Sequence, residues 1–248
     1  MPRIKRARSI PGGGGRAKKS RSSGARPSRL RISRVNITRA SVFAVCGCDG
    51  QILVNNTNGF SSQGNSIQFT FTQNGVYASV GNNAFALWGG SVFANALAYA
   101  AIYDEFRILK VQAEILWNTN EAGISAGATL SLPIMYAVID YDDGAPLSSS
   151  DQALGYSTCK VMQMGNSNSN GGKQYMTIFK PACQGSVLQT NNTTTAGQVI
   201  RGPWINSAAN ACEQNGLKIW YNNQTGTATT IGYLTIVFRV FYEYRNVH

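Results

Sequence analysis

A chain of 248 residues with a net charge of +11 holds enough material for one domain with a real core beyond its basic leader, and too little for two. No apolar run nears the ~20 residues needed to cross a bilayer, and no hydrophobic segment follows the first basic residues, so neither membrane insertion nor a secretory signal is expected. The five cysteines, Cys46, Cys48, Cys159, Cys183 and Cys212, are odd in number, and with the lone His248 they offer no zinc-ligand spacing. Reduced, mostly buried thiols are expected, with no cofactor.

Charge is distributed very unevenly. Residues 1–39 carry Arg3, Lys5, Arg6, Arg8, Arg16, Lys18, Lys19, Arg21, Arg26, Arg29, Arg31, Arg34 and Arg39, thirteen of the 22 basic residues and none of the 11 acidic ones. Residues 40–248 are left with nine basic against 11 acidic side chains. A segment of Arg, Lys, Ser, Gly and Pro buries too little apolar area to offset the entropy of ordering its backbone, so it folds only against a polyanion. Gly12–Gly15 forms a joint between basic clusters, and Pro2, Pro11 and Pro27 oppose continuous helix. Each phosphate neutralised on a single strand contributes a salt slope of roughly −0.7, which makes binding by such an arm strong, salt-sensitive and indifferent to sequence. The runs KRAR (5–8) and RAKKSR (16–21) also have the composition of nuclear-import signals read by host receptors. The expected organisation is an arm over 1–39 and a folded body over 40–248.

Along the body, period-two alternation dominates and predicts an all-β fold. Strands are expected near 34–45 and at 67–72, where Ile67, Phe69 and Phe71 alternate with Gln68, Thr70 and Thr72. Residues 91–102 alone read as helix, with Ser91 as N-cap and Phe93, Ala96, Leu97 and Ala100 on one face. In 106–117, Leu109, Val111, Ala113, Ile115 and Trp117 point one way and Lys110, Gln112 and Glu114 the other. The run 133–141 is apolar on both faces, as for a strand covered twice. Further strands are expected at 158–164, 174–180 and 217–221, separated by polar loops at 165–172 and 189–197. The last, 233–245, places Leu234, Ile236, Phe238, Val240, Tyr242 and Tyr244 on one fully apolar face. About eight strands, one short helix and long polar loops fit a two-sheet sandwich, with a jelly roll as the natural candidate.

YDEFRILKVQAEILW (103–117), an aromatic-Arg-Ile-x-Lys-Val core followed by Glu and an aromatic, most specifically resembles a strand of the capsid proteins of circoviruses and related small viruses with circular single-stranded DNA. VIDYDDG (138–144), KQYMTIFKPAC (173–183) and the paired segments GLKIWYNNQTG and IGYLTIVFRVFYEYRNV follow in the same order, behind an arginine-rich arm. The resemblance implies a viral jelly roll of two packed four-stranded sheets. It also implies about sixty self-associating copies in an icosahedral virion, with assembly in the host nucleus. Sixty such arms carry about 780 positive charges, on the scale of a small genome's phosphates. The Gly tract, a lower Arg density and Cys46-Gly-Cys48 depart from the pattern.

Other constellations are weaker. Asp140, Asp142 and Asp143 form the one carboxylate cluster, read either as a calcium site between subunits or as a polar strand end before the Gly144-Ala145-Pro146 turn. Tyr141-Asp142-Asp143 lacks the companion carboxylates of a polymerase, and Gly12–Gly15 lacks the strand and spacing of a phosphate loop. No Ser-His or Cys-His arrangement suggests catalysis, so no enzyme is expected. The sequons at Asn36 and Asn223 read as chance. Lys110, Lys160, Lys173, Lys180 and Arg239 are candidates to extend nucleic-acid contacts, with Trp88, Trp117, Trp204 or Trp220 either stacking bases or packing in the core. Three rival readings share these features: a single-stranded RNA or satellite-virus coat, a non-assembling nucleic-acid-binding protein, and a carbohydrate-binding jelly roll. Attachment to surface glycans is compatible with a shell.

Overall fold

The computed structural model describes residues 41–55, 59–60, 64–81, 86–90, 92–119, 134–163, 173–187, 196–222 and 230–247. The arm, Ser91, the loop 165–172 and most of 189–197 fall outside these residues, as do positions 34–40 of the first expected strand.

The alternation expected at 233–245 extends into β14 (Thr230–Val247), which lies between β1 (Val42–Asn55) and β6 (Tyr103–Thr119) and pairs with both along nearly its whole length. β9 (Lys173–Phe179) adds to the far edge of β6, giving the order β1-β14-β6-β9. A second sheet runs β3 (Ser66–Phe71), β13 (Gln214–Tyr221), β7 (Ile134–Ile139), β8 (Lys160–Gln163). All these pairings are antiparallel and, apart from β7–β8, join strands that are not consecutive in the chain, so two four-stranded bodies make the expected jelly roll. Short strands widen it to six and eight. β2 (Gly59–Phe60) and β12 (Ile205–Asn206) join the first sheet, and β4 (Val76–Val80), β5 (Ala86–Leu87), β10 (Ala182–Val187) and β11 (Ala196–Arg201) join the second.

The inner faces meet in one core. All six apolar residues expected on one side of β14 are fully buried, and Ala44, Cys46, Cys48, Ile52 and Val54 line the same side of β1. Phe238 reaches across to the opposite sheet, with its ring 4.9 Å from that of Phe69 and 5.4 Å from that of Phe71. Truncating it removes contacts with both sheets at once, so Phe238→Ala is expected to cost about 3–5 kcal/mol. Phe241→Ala, on the solvent side of the same strand, should cost under about 1 kcal/mol. Denaturant titration compares the two, and equal losses would remove β14 from the centre of the core.

Four local expectations change. Leu109 does not point inward. Between Phe241↔Lys110 and Tyr242↔Ile108 the register skips Leu109, a β-bulge that switches the buried parity from Phe106 and Ile108 to Val111, Ala113, Ile115 and Trp117. The helix α1 (Ala94–Ala100) starts later than Ser91 because the Phe93 amide donates to the Asn74 carbonyl at 2.8 Å, outside the helix, and Phe93 itself occupies the cap. Strand β1 runs ten residues beyond Val45, the end expected for the first strand. Trp88 presses on it, donating from Nε1 to the Ile236 carbonyl at 3.0 Å. This approach is possible because Gly50 and Gly89 have no side chains: a Cβ would lie 2.7 Å from the Trp88 ring at Gly50 and 1.8 Å from the Asp49 carbonyl at Gly89, where φ is +67°.

The fourth change is a second helix, α2 (Ser150–Gly155), that the hydrophobic pattern does not announce. Its signal is the Ser-x-x-Gln spacing of a capping box, with the return bond made to the residue before the cap. Ser149 Oγ accepts from the Gln152 amide at 3.0 Å, and Gln152 Oε1 accepts in return from the Ser148 amide at 2.7 Å. With Leu147, the helix's Ala153 covers Tyr136 and Val138 on the outer side of β7, while Met135 and Ala137 enter the main core. This explains why 133–141 is apolar on both faces.

Candidate functional site

The thirteen basic residues of the arm lie outside the described residues, so the site can be built only from the body upward. Of the body's nine basic residues, four are held by carboxylates among the described residues. Arg107 pairs with Glu243 at 2.5 Å, Arg239 with Glu114 at 2.7 Å, Arg245 with Glu105, and Lys218 with Asp140 and Asp143. The first three pairs arise from strand register. Glu243 stands opposite Arg107 and Arg245 opposite Glu105, while Arg239 stands opposite Gln112, two residues before Glu114 on β6.

The other basic candidates do not gather into one patch. Lys110 and Arg239 share the solvent face of the first sheet, with Lys110 Nζ 4.4 Å from the centre of the Phe241 ring. Lys160 stands on β8 in the other sheet, Lys173 begins β9, and Lys180 is half-buried beside Gly202. Trp88 and Trp117 are core residues. Trp204 is half-buried between two guanidinium groups, with Arg245 at 3.9 Å and Arg107 at 4.5 Å from its ring centre. Trp220 is half-buried against the small cluster under α2.

The carboxylates 140, 142 and 143 converge, but on an ammonium group. Lys218 is 1% exposed, and its Nζ lies 2.6 Å from Asp140 Oδ2 and also pairs with Asp143. Tyr156 donates to the same Asp140 oxygen at 2.8 Å, and the Asp142 amide donates to Oδ1 at 3.2 Å. Burial alone would raise the Asp140 carboxyl, but hydrogen bonds from Asp142, Lys218 and Tyr156 outweigh it and hold it down at about 2. Asp142 moves up, chiefly through its hydrogen bond to Asp140. Lys218 therefore stands where a cation would bind, and among the described residues no group of three His, Cys, Asp or Glu side chains is placed to hold a metal. The geometry is that of a polar strand end held by an ammonium group.

The same cluster explains a face that sequence reading missed. Gln68, Thr70 and Thr72 of the β3 segment alternate with core residues yet are at most 1% exposed. The segment after Asp140 passes over the start of this face, with Gly144 beside the Gln68 amide and the Leu147 amide donating to Ser66 Oγ at 2.9 Å, and Lys218 is the cross-strand partner of Gln68. No helix among the described residues is long and apolar enough to cross a membrane.

Comparison with known proteins agrees with this architecture. The model of the circovirus capsid protein family matches residues 5–248. A crystal structure of the 60-mer BFDV capsid protein superposes with a TM-score of 0.52 at 12% identity, over 84% of this chain and 95% of that one. The decameric BFDV capsid protein gives 0.44 at 11% identity, over 84% and 100%. The coat of Maize Chlorotic Mottle Virus gives 0.40 at 10% identity, over 82% and 95%. No curated protein matches in sequence. At 12% identity the 60-mer speaks for the fold, a viral jelly roll, whereas the family match takes in the basic leader as well as the sandwich. This chain belongs to the circovirus capsid protein family.

Proposed function

We propose that this viral capsid protein assembles into a small icosahedral shell of about sixty copies and packages a circular single-stranded DNA genome through residues 1–39. The observation that carries the reading is the partition of charge. Arg107, Lys218, Arg239 and Arg245 are committed to carboxylates within the sandwich, while the arm has thirteen cations and no anion of its own. Phosphate neutralisation thus falls to the arm and self-association to the sandwich. A shell of sixty is supported by the 60-mer formed by the BFDV protein, and DNA rather than RNA by family membership. The KRAR and RAKKSR runs carry the chain to the nucleus in this reading.

The test is expression of the full chain, followed by sedimentation, electron microscopy and nuclease digestion of the extracted nucleic acid. Particles of one diameter whose nucleic acid from infected cells is degraded by deoxyribonuclease are expected. A monomer or small oligomer at every ionic strength tried would sink the shell, and ribonuclease-sensitive contents would move the protein to the RNA-coat reading.

A further inference from the structure

Two of the five cysteines are placed to react with one another. Cys183 is buried on β10, one residue past Ala182, whose pairing with Asn215 joins β10 to β13. Cys212 is half-buried in the turn that enters β13, fixed by its own amide donating to the Ala209 carbonyl at 3.0 Å and by the Gln73 amide donating to the Asn210 carbonyl at 3.2 Å. The β10–β13 pairing thus brings the two thiols together, and they hydrogen-bond to each other. The other three have no such arrangement. Cys46 and Cys48 stand two apart on one strand facing the core, and burial pushes both thiols up, as it does that of Cys159.

We propose that Cys183 and Cys212 form a thiol–disulfide site that takes small disulfides such as oxidised glutathione and closes into an intramolecular disulfide. Cys212 is the attacking group. The hydrogen bond from Cys183 lowers its thiol, against the opposing effects of burial and of Glu213, while Cys183 is pushed up by the same bond and by burial. Cys212 sulfur attacks one sulfur of the small disulfide, the S–S bond breaks, and a glutathione thiolate leaves. Cys183 then gives up its proton and attacks the Cys212 sulfur of the mixed disulfide, releasing the second glutathione. The protein loses two hydrogens and two electrons, and the small disulfide becomes two thiols.

The bond would strap β10 to the turn that enters β13, within the second sheet. In oxidising surroundings outside a cell the strap is closed, and the reducing interior opens it. A subunit that must survive one compartment and come apart in the other gains stability only where it needs it.

The experiment treats reduced full-length protein with oxidised glutathione, then measures intact mass and maps peptides without reduction. A product two hydrogen masses lighter, with the Cys183 and Cys212 peptides linked within one chain, is expected, together with a Tm raised by about 5–10 °C and reversed by reductant. Cys212→Ser should abolish both the link and the shift. The unaltered chain decides the matter even if that variant folds poorly. A glutathione adduct that persists on Cys212 beside a free Cys183, both thiols left unreacted, or a link to Cys46, Cys48, Cys159 or another chain would each overturn the proposal.

Discussion

Replacing Arg3, Lys5, Arg6, Arg8, Arg16, Lys18 and Lys19 with glutamine is expected to flatten the salt dependence of single-stranded DNA binding by about 5 in the slope of log K against log salt. The full arm, if all thirteen cations reach phosphate, loses about five orders of magnitude in affinity between 50 and 200 mM salt, and the variant about half as many. Fluorescence anisotropy with oligonucleotides of different sequence reads both quantities. The same change should appear across sequences, because neutralised phosphate carries no base information. An unchanged slope would mean that the phosphate contacts come from the sandwich. The body makes that outcome hard to reach: Arg239, on the solvent face of the first sheet, is held by Glu114, which also accepts from Gln112 at 2.8 Å. Particles made from the variant should hold correspondingly less nucleic acid while the sandwich keeps its Tm.

Lys218→Met is expected to lower the Tm by about 6–20 °C, the equivalent of about 3–5 kcal/mol. The substitution keeps the aliphatic stem but leaves Asp140 buried, charged and without its ammonium partner. Adding Asp140→Asn removes the stranded charge, so the double variant should fall closer to the original protein than Lys218→Met does; additive losses would show that the pair is not coupled. The pH response follows from the direction of the Asp140 shift. Folded Asp140 stays ionised down to about 2, whereas its ordinary value is 3.8. Between those values the unfolded chain binds more protons, so stability rises with pH there and is lost as pH falls from about 4 to 2. In Lys218→Met the carboxyl loses the ammonium and keeps its burial, so it moves up and protonates earlier. The deficit relative to the original protein should therefore shrink on acidification. A deficit that stays constant from pH 7 to pH 3 would argue that Lys218 acts through packing alone.

Sequence by itself determined the features that repeat along the chain. The alternation in β14 and most of β6 reports one buried side per strand, because a pleated strand points successive side chains to opposite faces. The arm was equally legible, since thirteen cations without an anion need no fold to be recognised. The order of short motifs carried the family as well. Contacts between distant segments were beyond its reach. Asp140 and Lys218 are 78 positions apart, and only the β7–β13 pairing makes them neighbours; for the same reason Cys183 and Cys212 looked like two unrelated thiols. Leu109 alternates correctly in sequence, but a bulge against β14 reverses parity at that point, and a bulge belongs to a pair of strands. Gln68 reads as part of a polar face until the segment after Asp140 crosses over it. Local pattern records how each strand divides its side chains between two faces, while the question of what covers those faces is answered by chain brought from elsewhere.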